Sequence, residues 1–262
     1  MARENLIFLY GQVLFEPKIY TNKDGKLVRG IFSIKVLRRQ HNEQNSNLYF
    51  DTPIIVSMNE DLIRESSKLT KGDMVQIKGV LTTKEVIKTS SCDACKEQNK
   101  YPGVSVFITP IYIGKCQSKI SESEGIALLK ANNEISNIAI GIGTLCREPE
   151  KIEGYKTPCT QYQLAVNRKF HIKEDSPDTK TDYPWVKAYG KQAEMDAEVL
   201  HTNSTIYYNG SIQTRLIKRK IVCEHCGAEY DYDDKATEII PYSIEYLTNC
   251  DIPEVNDDSE KQ

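Results

Sequence analysis

The chain has no run of the ~18 apolar residues that a membrane-spanning helix needs, so no membrane span is expected. Its first residues, Met-Ala-Arg-Glu-Asn, lack a basic patch followed by an apolar stretch. They do not read as a secretory signal, and a cytoplasmic location is the expectation. Histidine is sparse and scattered, at His41, His171, His201 and His225. With no nucleophile motif and no glycine loop to cradle phosphates, an enzyme is not expected. Excess positive charge is missing too, since the formal net charge is −3, which by itself argues against a polyanionic partner. That deficit is local. Residues 251–262 hold five acids against one lysine, leaving the body of the chain near neutral and the end as an acidic, disordered tail.

What is present is a repeat. Asn5-Leu-Ile-Phe-Leu-Tyr-Gly11 returns as Asn137-Ile-Ala-Ile-Gly-Ile-Gly143, at an offset of 132. Phe32-Ser-Ile-Lys-Val-Leu-Arg38 returns as Tyr162-Gln-Leu-Ala-Val-Asn-Arg168, at 130. Val75-Gln-Ile-Lys-Gly79 returns as Ile206-Tyr-Tyr-Asn-Gly210, Cys92-x-x-Cys95 as Cys223-x-x-Cys226, and Pro110 as Pro241, all at 131. An offset this steady implies two copies of one domain. Each copy reads as five strands with a short helix between the third and fourth. In copy one the strands are expected near 5–14, 28–38, 50–58, 73–87 and 104–113, with the helix at 60–68. In copy two they fall near 135–146, 160–169, 182–189, 204–217 and 237–247, with the helix at 190–200. That order is the oligonucleotide-binding (OB) barrel, so an all-β chain of two tandem OB-fold barrels is expected. The domains would be 1–117 and 134–250, joined by a polar linker at 118–133 with a short helix over Ile126–Ala131, and followed by the tail at 251–262.

The third strand of copy two is the most informative stretch. At period two, Tyr183, Trp185, Lys187 and Tyr189 share one face, while Pro184, Val186 and Ala188 share the other. The second set suits a core. The first, three large rings and a cation, suits a surface that stacks on flat bases and meets phosphates.

The cysteines form a second constellation. Each Cys-x-x-Cys pair lies in the connection between the fourth and fifth strands and supplies two thiolates, whereas a structural zinc wants four. The economical reading is one zinc site built from Cys92, Cys95, Cys223 and Cys226 across the two copies. The linkage in one chain raises the effective concentration of the second pair. A dithiol redox pair and idle thiols are the alternatives, and His225 could replace one ligand. Cys116, Cys146, Cys159 and Cys250 follow no ligand spacing. An all-thiolate set leaves no open position for water, which disfavours a zinc nuclease.

Copy two resembles the bacterial single-stranded DNA-binding protein family. The resemblance rests on Gly143-Thr-Leu-x-x-x-Pro149, Tyr162-Gln-Leu-Ala-Val-Asn-Arg168, Asp182-Tyr-Pro-Trp-Val-Lys-Ala-Tyr-Gly-Lys-Gln-Ala-Glu194 and Ile206-Tyr-Tyr-Asn-Gly-Ser-Ile-Gln-Thr-Arg215. It implies a sequence-tolerant binder of single-stranded DNA acting in replication, recombination or repair. Phe170, Tyr183, Trp185 and Tyr189 would stack bases, and Arg168, Lys169, Lys187, Arg215 and Lys218 would meet phosphates. Copy one matches in outline only: Thr52, Ile54, Val56 and Met58 stand where copy two has Tyr183, Trp185, Lys187 and Tyr189. Its Lys35, Arg38 and Arg39 remain as phosphate candidates. The resemblance also implies an acidic tail that recruits replication or recombination proteins, although this tail lacks the apolar tip. It implies, too, an assembly of four barrels, which a homodimer would supply. The alternative is an adaptor that holds a replication or conjugation enzyme on the apolar strand face of copy one.

Overall fold

A computed structural model describes residues 3–38, 49–170, 172 and 180–251. The first half contains β1 (Glu4–Val13), β2 (Lys18–Thr21), β3 (Leu27–Leu37), β4 (Phe50–Asp51), β5 (Ile54–Ser57), α1 (Glu60–Ser67), β6 (Met74–Ser91) and β7 (Gln98–Gln117). Two helices follow, α2 (Glu122–Ala131) and α3 (Asn133–Ser136). The second half contains β8 (Asn137–Leu145), β9 (Glu150–Lys151), β10 (Cys159–Asn167), β11 (Thr181–Asp182), β12 (Trp185–Tyr189), α4 (Lys191–Val199), β13 (Thr205–Val222) and β14 (Glu229–Thr248).

The pairings close two barrels of the same topology. In the first, β1 pairs with both β3 and β6, β3 with β5, β6 with β7, and β5 runs parallel to β7 at Ile55 and Ile108. In the second, β8 pairs with both β10 and β13, β10 with β12, β13 with β14, and β12 runs parallel to β14 at Val186 and Ile239. A first strand bonded to the second and fourth, with a parallel closure between third and fifth, is the OB arrangement. The interiors are filled by alternate residues: Ile7, Leu9, Ile34, Val36, Ile55, Ile77 and Ile108 in one, Tyr162, Leu164, Val186, Ile206, Tyr208 and Ile239 in the other. The barrels also join edge to edge, because β1 and β8 pair antiparallel from Glu4–Ile142 to Leu9–Asn137.

The fourth strands run a few residues beyond their expected ends, to Ser91 and Val222, and the fifth strands begin well before their expected starts, at Gln98 and Glu229. Each pair leaves its barrel as a two-stranded arm, β6–β7 or β13–β14. The departure is marked by a register shift at Gly79 facing Pro110, and again at Gly210 facing Pro241. A Cβ on Gly210 would stand 2.2 Å from the Ile240 carbonyl, and proline opposite has no N–H to leave unpaired. The Cys-x-x-Cys motifs lie at the tips of these arms, in the connection between the fourth and fifth strands where the sequence placed them.

The segment between the barrels is also more ordered than a polar tether. Ser121 and Glu124 form a reciprocal capping box, which starts α2 at Glu122 rather than at Ile126. Leu129 of α2 is buried with Tyr10, Leu37 and Met74 of the first barrel.

Two symmetric clasps hold the barrels together. Asp182 takes the Arg168 guanidinium, with Nε at 2.5 Å and a terminal nitrogen at 3.2 Å. It also accepts the Thr83 N–H at 2.8 Å and the Asn5 amide at 3.2 Å. In the mirror position Asp51 takes Arg38 at 3.0 and 2.7 Å, and accepts the Thr214 N–H at 2.7 Å. Both aspartates are fully buried. Each thus satisfies a guanidinium of its own barrel and a backbone donor from the other barrel's arm, as buried charge requires.

Candidate nucleic-acid interface and metal centre

The alternation expected for the third strand of copy two holds in β12 and the residues before it. Pro184, Val186 and Ala188 are buried, Tyr183 is 49% exposed, and Trp185 and Tyr189 are half-buried on the opposite face. Lys187 breaks the pattern. It is buried, 3.9 Å from Glu238 and 3.3 Å from the Tyr155 hydroxyl. Glu238 also receives Arg215 through two hydrogen bonds of 2.9 and 2.8 Å. That carboxylate holds the Arg215 guanidinium above its ordinary pKa. Burial, with Cys159, Tyr155 and Glu238 nearby, pushes the Tyr189 phenol up.

Two residues outside the expected set belong to this face. Tyr155, 45% exposed, meets Tyr189 edge-on at 5.8 Å and lies 5.2 Å from the Lys187 ammonium. Arg147 lies over Trp185, 5.0 Å from the ring centre. Both come from segments flanking β9, whose loops carry no periodic pattern. Only the family motif Gly143-Thr-Leu-x-x-x-Pro149, which encloses Arg147, could have drawn attention to one of them.

Several expected phosphate contacts turn out to have other partners. Arg168 is 5% exposed and serves the clasp, so it does not present its charge to solvent. Lys187 is likewise enclosed, and Arg38 is committed to Asp51. Lys35 pairs with Glu122 of α2, and Lys169 with Glu4. Phe170 does not stand open for stacking either. It packs on the first barrel's Val56, Met58, Val80 and Phe107 beside Ile172, with Lys78 5.8 Å from its ring. Lys218 is exposed on the second arm. Arg39 lies outside the described residues, as does the tail from 252 onward.

At the arm tips the two knuckles have the same backbone. In each, the first cysteine's N–H bonds the carbonyl five residues on (Cys92 to Glu97, Cys223 to Ala228). The residue after the second cysteine, Lys96 or Gly227, is left-handed and returns its N–H to the first cysteine's carbonyl. Left-handed backbone is natural for Gly227 and strained for Lys96. The four sulfurs converge from both barrels: Cys92 to Cys226 is 3.7 Å, Cys95 to Cys223 is 3.6 Å, and all lie within 4.8 Å of one another. A tetrahedral ion with metal–sulfur bonds of ~2.3 Å would set its sulfurs ~3.8 Å apart, so the residues fit a four-thiolate metal ion. His225 is exposed and outside the cluster.

The surroundings favour thiolate at Cys223, while burial and the neighbouring sulfurs push the Cys95 and Cys226 thiols up. Burial opposes charge on Cys223, but the Asn99 amide at 3.4 Å and the backbone N–H groups of Cys226 and His225 outweigh it and bring its pKa down to about 6. Asn99 also accepts the Glu224 N–H through its oxygen, so its orientation is fixed from the opposite arm. Below the tips the arms are zipped by Ser90–Tyr230 at 2.7 Å, by Tyr101 on Tyr232 at 4.8 Å, and by Asp234 between Lys88 and Arg219. No other group of three or more metal-ligating side chains occurs among the described residues.

Residues 136–226 match the Single-strand binding protein family. The family likeness therefore covers the second barrel from its first strand through the second knuckle. The whole chain resembles the wild-type single-stranded DNA binding protein from Thermus aquaticus, with a TM-score of 0.60 and 16% identity over 95% of each chain. A deletion mutant of the same Thermus aquaticus protein aligns over 97% of this chain and 100% of its own, with a TM-score of 0.61 and 17% identity. At such identities the likeness is one of fold. No curated protein is significantly similar to the chain. Among the described residues, no helix is long and apolar enough to cross a membrane.

Proposed function

We propose that the protein binds single-stranded DNA without sequence preference, in replication, recombination or repair, and that it does so mainly through the second barrel. The observation that carries this reading is the group of rings on one side of the β12 face: Tyr183, Trp185 and Tyr189 along a sheet whose other side is packed, joined by Tyr155 from the loop after β9. Aromatic stacking contributes ~1–3 kcal/mol per base and tolerates any sequence, because every base has a flat face. Lys187, paired with Glu238, meets the ring and hydroxyl of Tyr155, and Lys218 and Arg147 provide charge for the phosphates.

The four cysteines would hold a structural zinc, which supplies a rigid cross-link and no reaction. Fixing the arm tips to each other keeps the arm that borders the stacking face from swinging. The acidic tail would recruit replication or recombination proteins, and two chains would supply four barrels.

A gel shift with single- and double-stranded oligonucleotides of equal length tests the reading. Retardation of the single strand alone is expected, from protein carrying one zinc per chain. Equal retardation of the duplex would overturn it. A second reading, an adaptor, draws on the first barrel: a cleft of about 460 Å³ with Ile31, Ile54, Val56, Met58 and Phe107 in its lining, and Arg29, Lys84, Lys88, Asp234 and Lys235 there too, would suit a protein segment with apolar and charged side chains. Absence of any shift by the single strand would favour that alternative.

A further inference from the structure

We propose that Arg147 is a place-holder on Trp185: a base entering the site displaces its guanidinium, which then turns onto a neighbouring phosphate of the same strand. The proposal rests on the stacking function above. Arg147 follows the end of β8, is exposed, and covers the outward side of Trp185 at 5.0 Å. Among the described residues its one hydrogen bond donates to Gln163 Oε1 at 3.0 Å, and Gln163 is the register partner of Trp185 on β10. The cation thus occupies the space a stacked base would need.

What sets Arg147 apart is the absence of a carboxylate. Among the described residues it has no acidic partner, whereas Arg168 and Arg215 each form a two-bond pair with Asp182 or Glu238. Moving either of those would uncover a buried acid. Moving Arg147 gives up one neutral acceptor and a ring contact, and a base replaces the ring contact with a larger one. The released guanidinium is a planar fork that matches phosphate oxygens. The first barrel has no such device, since Phe15 and Ile54 stand at the corresponding positions.

The test uses the full chain and its single tryptophan. Emission of Trp185 is titrated with oligo-dT at several salt concentrations, for the native protein, R147A, R147K and a control, K130A, on the exposed side of α2. Each phosphate contact on a single strand adds about 0.7 to the slope of log K against log salt. R147A is expected to lose about that much slope while keeping the quenching, R147K to recover it, and K130A to match the native protein. A native slope in R147A, with quenching intact, would show that Arg147 stays on the ring and would overturn the proposal. Native protein that shows neither quenching nor binding would overturn the stacking function itself, a different outcome.

Discussion

The two barrels share a scaffold and differ on one face, and the division between what is shared and what is not separates folding from function. The clasp is shared: Arg38–Asp51 with Thr214 in one direction, Arg168–Asp182 with Thr83 in the other. So are the Gly–Pro bends and the cysteine knuckles. The exposed side of the third strand is not. Where the second barrel has Trp185, Lys187 and Tyr189, the first has Ile54, Val56 and Met58. Where the second has Arg215 and Glu238 as an ion pair, the first has Lys84 and Phe107. The first barrel's aliphatic face is also partly covered by the second barrel's own Phe170 and Ile172. On the proposed function, one barrel presents the surface for flat ligands and the other is the packed partner beside it.

The largest way to break this comparison is to remove the rings. Trp185→Ala with Tyr189→Ala should weaken oligo-dT binding by about 30-fold or more, from ~1–3 kcal/mol per stacked base. Ile54→Ala with Met58→Ala should leave binding within a few-fold, as measured by fluorescence anisotropy of labelled DNA. Equal losses would mean that both barrels stack bases.

Next come the clasps, which should be alike in kind and unequal in size. Asp182→Ala takes the carboxylate from the buried Arg168 guanidinium, a loss of about 3–5 kcal/mol. Asp51→Ala should cost less, because the Arg38 side chain keeps 27% of its exposure and can hydrate. Urea unfolding of the two variants compares them directly. Removing the metal with a strong chelator should lower the melting temperature of the native chain, and adding zinc back should restore it. Cys223→Ser should respond less to either treatment.

The smallest expected effect is one of pH. Asp234 is raised by burial but lowered more by hydrogen bonds from Lys88 and Arg219, so its folded pKa lies below the ordinary 3.8. Its contribution to stability is complete above that value and is lost as pH falls through the folded one. The stability gap between the native chain and Asp234→Asn should therefore narrow in acid, below pH 4, and stay flat from 5 to 7.

The repeat, the barrel topology and the alternation of the third strand were legible because they follow from local period and from the constant offset. The fate of the cations was not. Arg168 and Lys187 look like surface charges in the chain, and only the fold reveals that Asp182 and Glu238 stand against them. A clue existed. Arg38 and Asp51 recur as Arg168 and Asp182, and a charge pair preserved in both copies, while the ligand face diverges, belongs to the scaffold. The ends of the arms are not legible because the inner side of Lys84-Glu-Val-Ile-Lys-Thr-Ser-Ser91 carries polar Lys88 and Ser90 against the other arm, so no apolar alternation marks it. Tyr155 escaped because its loop reaches the stacking face through space alone.

The central claim is tested most directly by the emission of Trp185, the only indole in the chain, during titration with oligo-dT and with a duplex of the same length. The account predicts strong, salt-sensitive quenching by the single strand and little by the duplex. Binding of the single strand with the emission unchanged would place the bases elsewhere and contradict it.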